Sequence, residues 1–357
     1  CPKRPKCLGN GSTLFFDLNL ISTPMKYLFQ WSQWSLVSII GIFLFSSCQS
    51  SEPKADLSLW TNNTTRERIE HYVSQVTDKD NLHYIPVEDR IAVFDNDGTL
   101  WAEFPAYNQL LFAIDRLHQM ANEDADWEHR EPYSKFLDSL WMSDKSIGQK
   151  ELLAMIQKTH SGVSTEEFMR MAEEFITTAN HPLLDRKISM TTYSPMIQLI
   201  DYLEAHDFTV FIVSGGGIEF MRSVSKELYG IPEYQIVGSR MATRYNASEG
   251  TIEMLDHIEF VDDKEGKPLG INTVIGKRPV FVGGNSDGDL AMMDYATKGT
   301  YPYLNLLVHH TDTEREFAYD RDSHIGHLEK ALDRALEEDW IVVDMASDWS
   351  EIFANEK

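Results

Sequence analysis

Four short apolar runs most constrain this fold. Ile91-Ala92-Val93-Phe94 ends at Asp95, and Thr209-Val210-Phe211-Ile212-Val213 ends at Ser214. Pro279-Val280-Phe281-Val282 leads through two glycines to Asn285, and Leu304 to Val308 forms the fourth run. Runs of this length without polar alternation read as strands buried on both faces. Helical spacing separates them, at Ile69, Tyr72, Val73 and Val76 (helix 64–76, capped by Asn63 or Thr64), at Met196, Leu199, Ile200 and Leu203, and over 218–229. Strands alternating with helices predict an α/β fold, a parallel sheet with helices on both faces. Short strands are expected near 234–237 and 250–254. Ligands in such sheets sit at the carboxyl ends of the strands. Asp95, Ser214 and Asn285 each stand directly after one.

The rhythm is interrupted once. From about 102 to 188 there is no strand alternation, only helical spacing at Leu110, Leu111, Ile114, Leu117 and Met120, at Leu152, Met155 and Ile156, and at Phe168, Met171, Ala172 and Phe175. A mainly α-helical domain over 102–188 is therefore expected as an insertion into a core made of 61–101 and 189–357. A chain of 357 residues has room for both.

The N-terminal part reads differently. Residues 1–24 contain no Met and look like upstream sequence. Residues 25–47 run from Met25-Lys26 through the apolar stretch Leu36 to Phe45 to Ser46-Ser47, as a secretory signal does. The apolar stretch is short for a membrane span. Small residues before Cys48 resemble a bacterial lipobox, which implies an exported lipoprotein, periplasm-facing or in the outer membrane, anchored only by a lipid on Cys48. Residues 48–60 then read as a tether. The other cysteines are Cys1 and Cys7, so nothing beyond Cys48 can form a disulfide or a cysteine metal site. A net charge of −24 argues against nucleic acid and against electrostatic binding to anionic lipid.

The chemistry is concentrated in Asp95-Asn96-Asp97-Gly98-Thr99. Alternation starts Asp95 and Asp97 on one side of the strand, and the turn that follows lets them take different tasks. Two carboxylates at a strand end suit metal-assisted attack on phosphorus, Asp95 as nucleophile and Asp97 handling the proton. Ser214 with Gly215-Gly216-Gly217 suits a phosphate, since a hydroxyl and unobstructed backbone N–H groups precede a helix. Gly284-Asn285-Ser286-Asp287-Gly288-Asp289 offers hard oxygen ligands of the kind Mg²⁺ prefers.

These segments resemble the motifs of the haloacid dehalogenase (HAD)-like hydrolases, in particular the phosphoserine-phosphatase-like branch, from about residue 89 to the C-terminus. The resemblance implies a HAD-like Rossmannoid core and a helical C1-type cap. It implies an aspartyl-phosphate on Asp95, acid–base work by Asp97, and phosphate binding by Thr99, Ser214, Gly215 and a lysine. Lys264, Lys267 and Lys277 are candidates, and Lys267 is chosen because it opens a helix before a strand. Mg²⁺ is implied as cofactor, with Asp95, Asp97 (backbone carbonyl), Asn285 and Asp289 as its sphere. Asn285 stands where the family's first acid is usual; Asp287 reads as a turn acid, with compensation for that missing charge as the alternative reading. Glu103 could meet a substrate amine. Trp101, Tyr107, Trp127, Tyr133 and Trp141 could cage a quaternary ammonium or simply pack the cap, the reading preferred here. His309-His310 reads as structural. The expected activity is hydrolysis of a small phosphorylated metabolite; a phosphotransferase, a dehalogenase (against which Asp97 counts) and a lipid-tethered binding protein are the alternatives.

Overall fold

The computed structural model describes residues 55–61, 63–138 and 148–354. The calls on residues 1–47, including the signal sequence, and on Cys48 and Trp141 fall outside these residues. Seven strands form one sheet: β1 (Ile91–Phe94), β2 (Thr209–Gly217), β3 (Ile236–Asn246), β4 (Thr251–Phe260), β5 (Phe281–Gly284), β6 (Leu304–His309) and β7 (Ile341–Asp344). Their order is β4-β3-β2-β1-β5-β6-β7. All neighbours are parallel except β3 and β4. β1 lies at the centre, with Phe94 level with Ile212 on one side and Gly283 on the other.

The helices are α1 (Asn63–Thr77), α2 (Asn108–Glu123), α3 (Gln149–His160), α4 (Thr165–Thr178), α5 (Ser194–Glu204), α6 (Ile218–Arg222), α7 (Ser225–Tyr229), α8 (Gly266–Val274), α9 (Leu290–Thr297), α10 (Lys330–Glu337) and α11 (Met345–Asp348). They divide between two cores according to the alternation of β1. Ala92 and Phe94 join Ile69, Val73 and Val76 of α1 and Met196, Leu199 and Leu203 of α5. Ile91 and Val93 join Ile271 of α8, Met292 and Met293 of α9, and Ala331 and Ala335 of α10. Asp95 is next in that second set, so it leaves the strand toward α8 and α9.

The inserted helices α2, α3 and α4 build a third and a fourth cluster. Two differences from the sequence expectation concern this region. The short strands expected near 234 and 250 are the long strands β3 and β4. Their outer halves, antiparallel with Asn246 level with Thr251, stand under the inserted helices. The N–H of Gly162 donates to Met254 O and that of Met254 to Val163 O, each at 2.9 Å. Met254 is the one buried residue of β4, so apolar alternation along the strand is faint. The single helix expected over 218–229 is α6 and α7, because Val224 between them has φ −134°.

Residues 55–60 are not a free tether. Leu57 and Trp60 are buried in the core that contains α1 and α5. Trp60 Nε1 donates to Pro195 O at 3.0 Å, and its ring meets Trp349 edge-on. Apolar burial overrides the polar composition around these two residues. No helix among the described residues is long and apolar enough to cross a membrane.

Candidate active site

The carboxyl ends of β1, β2 and β5 meet the start of α8. Lys267, the second residue of α8, is 2% exposed. Its Nζ donates to Asp95 Oδ1 and Asp289 Oδ1, each at 2.6 Å, and to Val213 O at 2.9 Å. Burial opposes its charge, but the Asp289 and Asp95 carboxylates outweigh that and hold the ammonium above its ordinary range. The other Asp289 oxygen, Oδ2, accepts from the N–H of Asn285 at 2.9 Å and of Ser286 at 3.0 Å. Asp289, expected at the metal, stands at the centre of the site, where it bonds the lysine and the turn after β5.

Beside this clamp the turn after β1 presents Asp97, whose Oδ1 accepts from Trp101 Nε1 at 2.8 Å. Burial raises its carboxyl to about 6, against the pull of Trp101 and Lys267. An acid in that range can both give and take a proton near neutrality. Gly98 follows with φ +73°, a conformation that favours glycine. A Cβ there would stand 2.1 Å from Asn285 Nδ2 and 2.3 Å from Glu103 Oε1, so only glycine lets these two meet. Asn285 Nδ2 donates to Glu103 Oε1 at 2.7 Å, and Thr99 Oγ1 donates to Asn285 Oδ1 at 3.1 Å. Glu103 Oε1 also accepts from Tyr319 OH at 2.9 Å. Thr99, expected at the phosphate, thus orients Asn285, and Glu103, expected at a substrate amine, is held by Asn285 and Tyr319.

At the end of β2, Ser214 Oγ accepts from Gly216 N at 3.1 Å, which leaves the hydroxyl proton free to donate elsewhere. The N–H of Gly217 donates to Gln109 Oε1 at 2.7 Å. That bond fixes the amide's orientation, so Gln109 Nε2 donates across 3.0 Å to His160 Nε2. His160 Nδ1 then carries the hydrogen facing Thr159 Oγ1 at 2.9 Å, and Thr159 donates to Met155 O. This ordered chain links α2 and α3 to the Ser214 turn, and it requires a neutral imidazole.

Burial, aided by the charge of Arg116, holds His160 down at about 3. The unfolded chain would take up a proton near pH 6.5 while the folded one refuses it. The contribution is complete above pH 6.5 and is lost as pH falls from there toward 3. By pH 5 about 2 kcal/mol should be gone. Denaturant titrations at pH 8 and pH 5 check this: His160→Gln should lack that part of the loss, and equal losses in both proteins would refute it.

The remaining expected residues fall elsewhere. Lys277 Nζ donates to Asp89 Oδ1 at 2.7 Å, at the opposite end of β1. Lys264 is exposed and offers only its carbonyl, to Lys267 N. Asp287 Oδ1 accepts from the N–H groups of Glu329 and Ala331, so it caps α10. Gly215 lies in the Ser214 turn, its Cα facing Asp263. The aromatic candidates form no cage among the described residues. Trp127 and Tyr133 meet edge to face in one cluster, Trp101 packs on Phe220 in another, and Tyr107 is 41% exposed. His310 Nε2 donates to Gly98 O at 2.8 Å, and Nδ1 lies 3.1 Å from Glu316 Oε2, which supports the turn from below. Sequence reasoning missed Gln109, His160, Glu316 and Tyr319. No local motif marks them: Gln109, His160 and Tyr319 act through partners distant in the chain, and Glu316 is known by its contact with His310.

Asp95, Asp289 and Glu103 are buried and Asp97 half-buried, around one ammonium. Burial drives the Glu103 carboxyl well up, and the charge of Asp97 adds to it. Such an excess of carboxyl groups favours a further cation. No group of three or more His, Cys, Asp or Glu among the described residues forms a metal cluster by itself. The available set is mixed: the Asp95 carboxylate, the Asp97 main-chain carbonyl and the Asn285 amide oxygen. All are hard oxygens, and they fit Mg²⁺.

No protein-family profile matches this sequence, and no curated protein matches it. Among solved structures, a conserved protein of unknown function from Anaerococcus prevotii is 16% identical with a TM-score of 0.49; the match covers 74% of this chain and 90% of that one. A protein of unknown function from Bordetella pertussis is 14% identical with a TM-score of 0.47, covering 72% and 98%. A substrate-bound phosphoserine phosphatase is 14% identical with a TM-score of 0.34, covering 70% and 98%. Likeness at this level fixes neither substrate nor chemistry, which must come from the side chains around Asp95.

Proposed function

We propose that this chain hydrolyses a phosphomonoester through a phosphorylated Asp95, with Mg²⁺ as cofactor, as HAD-like phosphatases do. The observation that carries the reading is Lys267 Nζ, clamped 2.6 Å from both Asp95 and Asp289 beside the Ser214 turn. A buried lysine held this way neutralises a carboxylate nucleophile and an arriving dianion together. The Ser214 hydroxyl, with Gly215 beside it, binds the phosphoryl oxygens. Asp95 attacks phosphorus, and the bond to the leaving oxygen breaks as Asp97 delivers its proton. Asp97 then takes a proton from water, whose oxygen attacks the acyl phosphate and frees inorganic phosphate and Asp95. Asp95, the Asp97 carbonyl and Asn285 would hold Mg²⁺, which when bound withdraws charge from the phosphoryl oxygens.

The direct test is phosphate release from p-nitrophenyl phosphate. Turnover is expected with Mg²⁺, with a fall of about 100-fold in EDTA and recovery when Mg²⁺ is restored. Equal turnover in EDTA would remove the metal from the reading. Absence of turnover on a broad panel of phosphomonoesters would remove the hydrolase.

A further inference from the structure

Asn285 is the one proposed metal ligand whose side chain ends in two unlike atoms. Only its oxygen can meet a cation, since the amide nitrogen is a donor with no lone pair to offer. What faces each atom therefore decides whether the residue can serve. Nδ2 donates to Glu103 Oε1 at 2.7 Å, and Oδ1 accepts from Thr99 Oγ1 at 3.1 Å. The threonine cannot fix the orientation, because a hydroxyl both donates and accepts. The carboxyl group can. Glu103 Oε1 also accepts from Tyr319 OH at 2.9 Å, while Oε2 makes no hydrogen bond among the described residues. A proton on this acid would sit on Oε2 and leave Oε1 an acceptor, so the atom of Asn285 that faces it must be the nitrogen.

The backbone is built around this contact. A Cβ on Gly98 would stand 2.3 Å from Glu103 Oε1, and one on Gly326, ahead of α10, 2.1 Å from the same oxygen. Both glycines have positive φ, +73° and +55°, where other residues are strained. Two turns from distant parts of the chain are thus kept open around one carboxyl oxygen. Glu103 and Asn285 are both buried, so water does not compete for either partner. The amide oxygen, with Thr99 on one lone pair, has a second to give.

We infer that Glu103 is a positioning residue for the metal: it holds the Asn285 amide with the oxygen, not the nitrogen, available to a cation. The inference rests on the Mg²⁺ part of the hydrolase reading above. Its test is calorimetry of the full chain with Mg²⁺ alone, which does not depend on turnover. A glutamine at 103 can turn either an oxygen or a nitrogen to Asn285 and so releases the amide. Glu103→Gln should therefore weaken Mg²⁺ binding about tenfold. In an Asn285→Asp background the same replacement should act the other way. Position 285 then offers only acceptors to Glu103, whereas a glutamine supplies the missing donor, and the Tyr319 hydroxyl can accept in turn. The double variant should bind Mg²⁺ about tenfold tighter than Asn285→Asp alone. A residue that only supported the fold would shift both backgrounds in one direction. Unchanged affinity in Glu103→Gln, or changes of the same sign in both backgrounds, overturns the inference and leaves the hydrolase standing. If Glu103→Gln does not fold, the comparison within the Asn285→Asp background decides, and no tightening there overturns the inference. No Mg²⁺ binding by the unaltered chain overturns the metal reading and this inference with it.

Discussion

Asp95→Asn should lower phosphate release from p-nitrophenyl phosphate by about 10⁴-fold, with the fold intact. The amide has the shape of the carboxylate but almost none of its nucleophilicity. Its oxygen can still accept from Lys267 Nζ, which keeps its 2.6 Å contact with Asp289. One buried negative charge is removed from a site that already has an excess, so the melting temperature should move little. The paired measurement is kcat/KM and a thermal melt on the same preparation. Unchanged turnover would refute Asp95 as the nucleophile. Lost turnover together with a collapsed melt would show only that the side chain holds the fold.

Lys267→Met should have the second largest effect, and on both properties. The substitution keeps much of the stem volume and removes the charge that Asp95 and Asp289 share. These carboxylates would then stand buried near each other without a cation. Breaking a buried ion pair from one side costs about 3–5 kcal/mol, a fall in Tm on the order of 10 °C for a domain of this size. Because the loss comes from uncompensated negative charge, acidification should restore part of it, as one of the two carboxyls takes a proton. Melts of Lys267→Met at pH 7 and pH 5 measure this. A variant as stable as the parent at pH 7 would show that the clamp contributes nothing net to folding.

How much could be read in advance follows from how local each signal is. Strand β1 and Asp95, Asp97, Ser214 and Lys267 were legible because each is announced by its neighbours: an apolar run, a glycine turn, or a proline just inside a helix start. β7 and α10 were not anticipated, and the length of β3 and β4 was misjudged, because a hairpin that lies mostly on a surface buries too few residues to show a period. Leu57 and Trp60 sit in a polar stretch, and only the partners Pro195 and Trp349 reveal their burial. Thr99, Glu103 and Asp289 were named as contacts of phosphate, substrate and metal. The structure shows Thr99 and Glu103 bonded to Asn285, 186 and 182 residues away, and Asp289 bonded to Lys267, and spacing in the sequence gives no sign of such pairs.

The position of β1 has a practical consequence for anyone collecting variants. Its four residues contribute by turns to both cores, and the next residue is Asp95, whose N–H is tied to Gly283 O at 2.9 Å. A void opened at Phe94 or Val93 is therefore expected to displace the Asp95 carboxylate before it unfolds the sheet. In a screen scored by turnover, such packing substitutions will be mistaken for losses of chemistry, and only their recovery at lower temperature will tell the two apart.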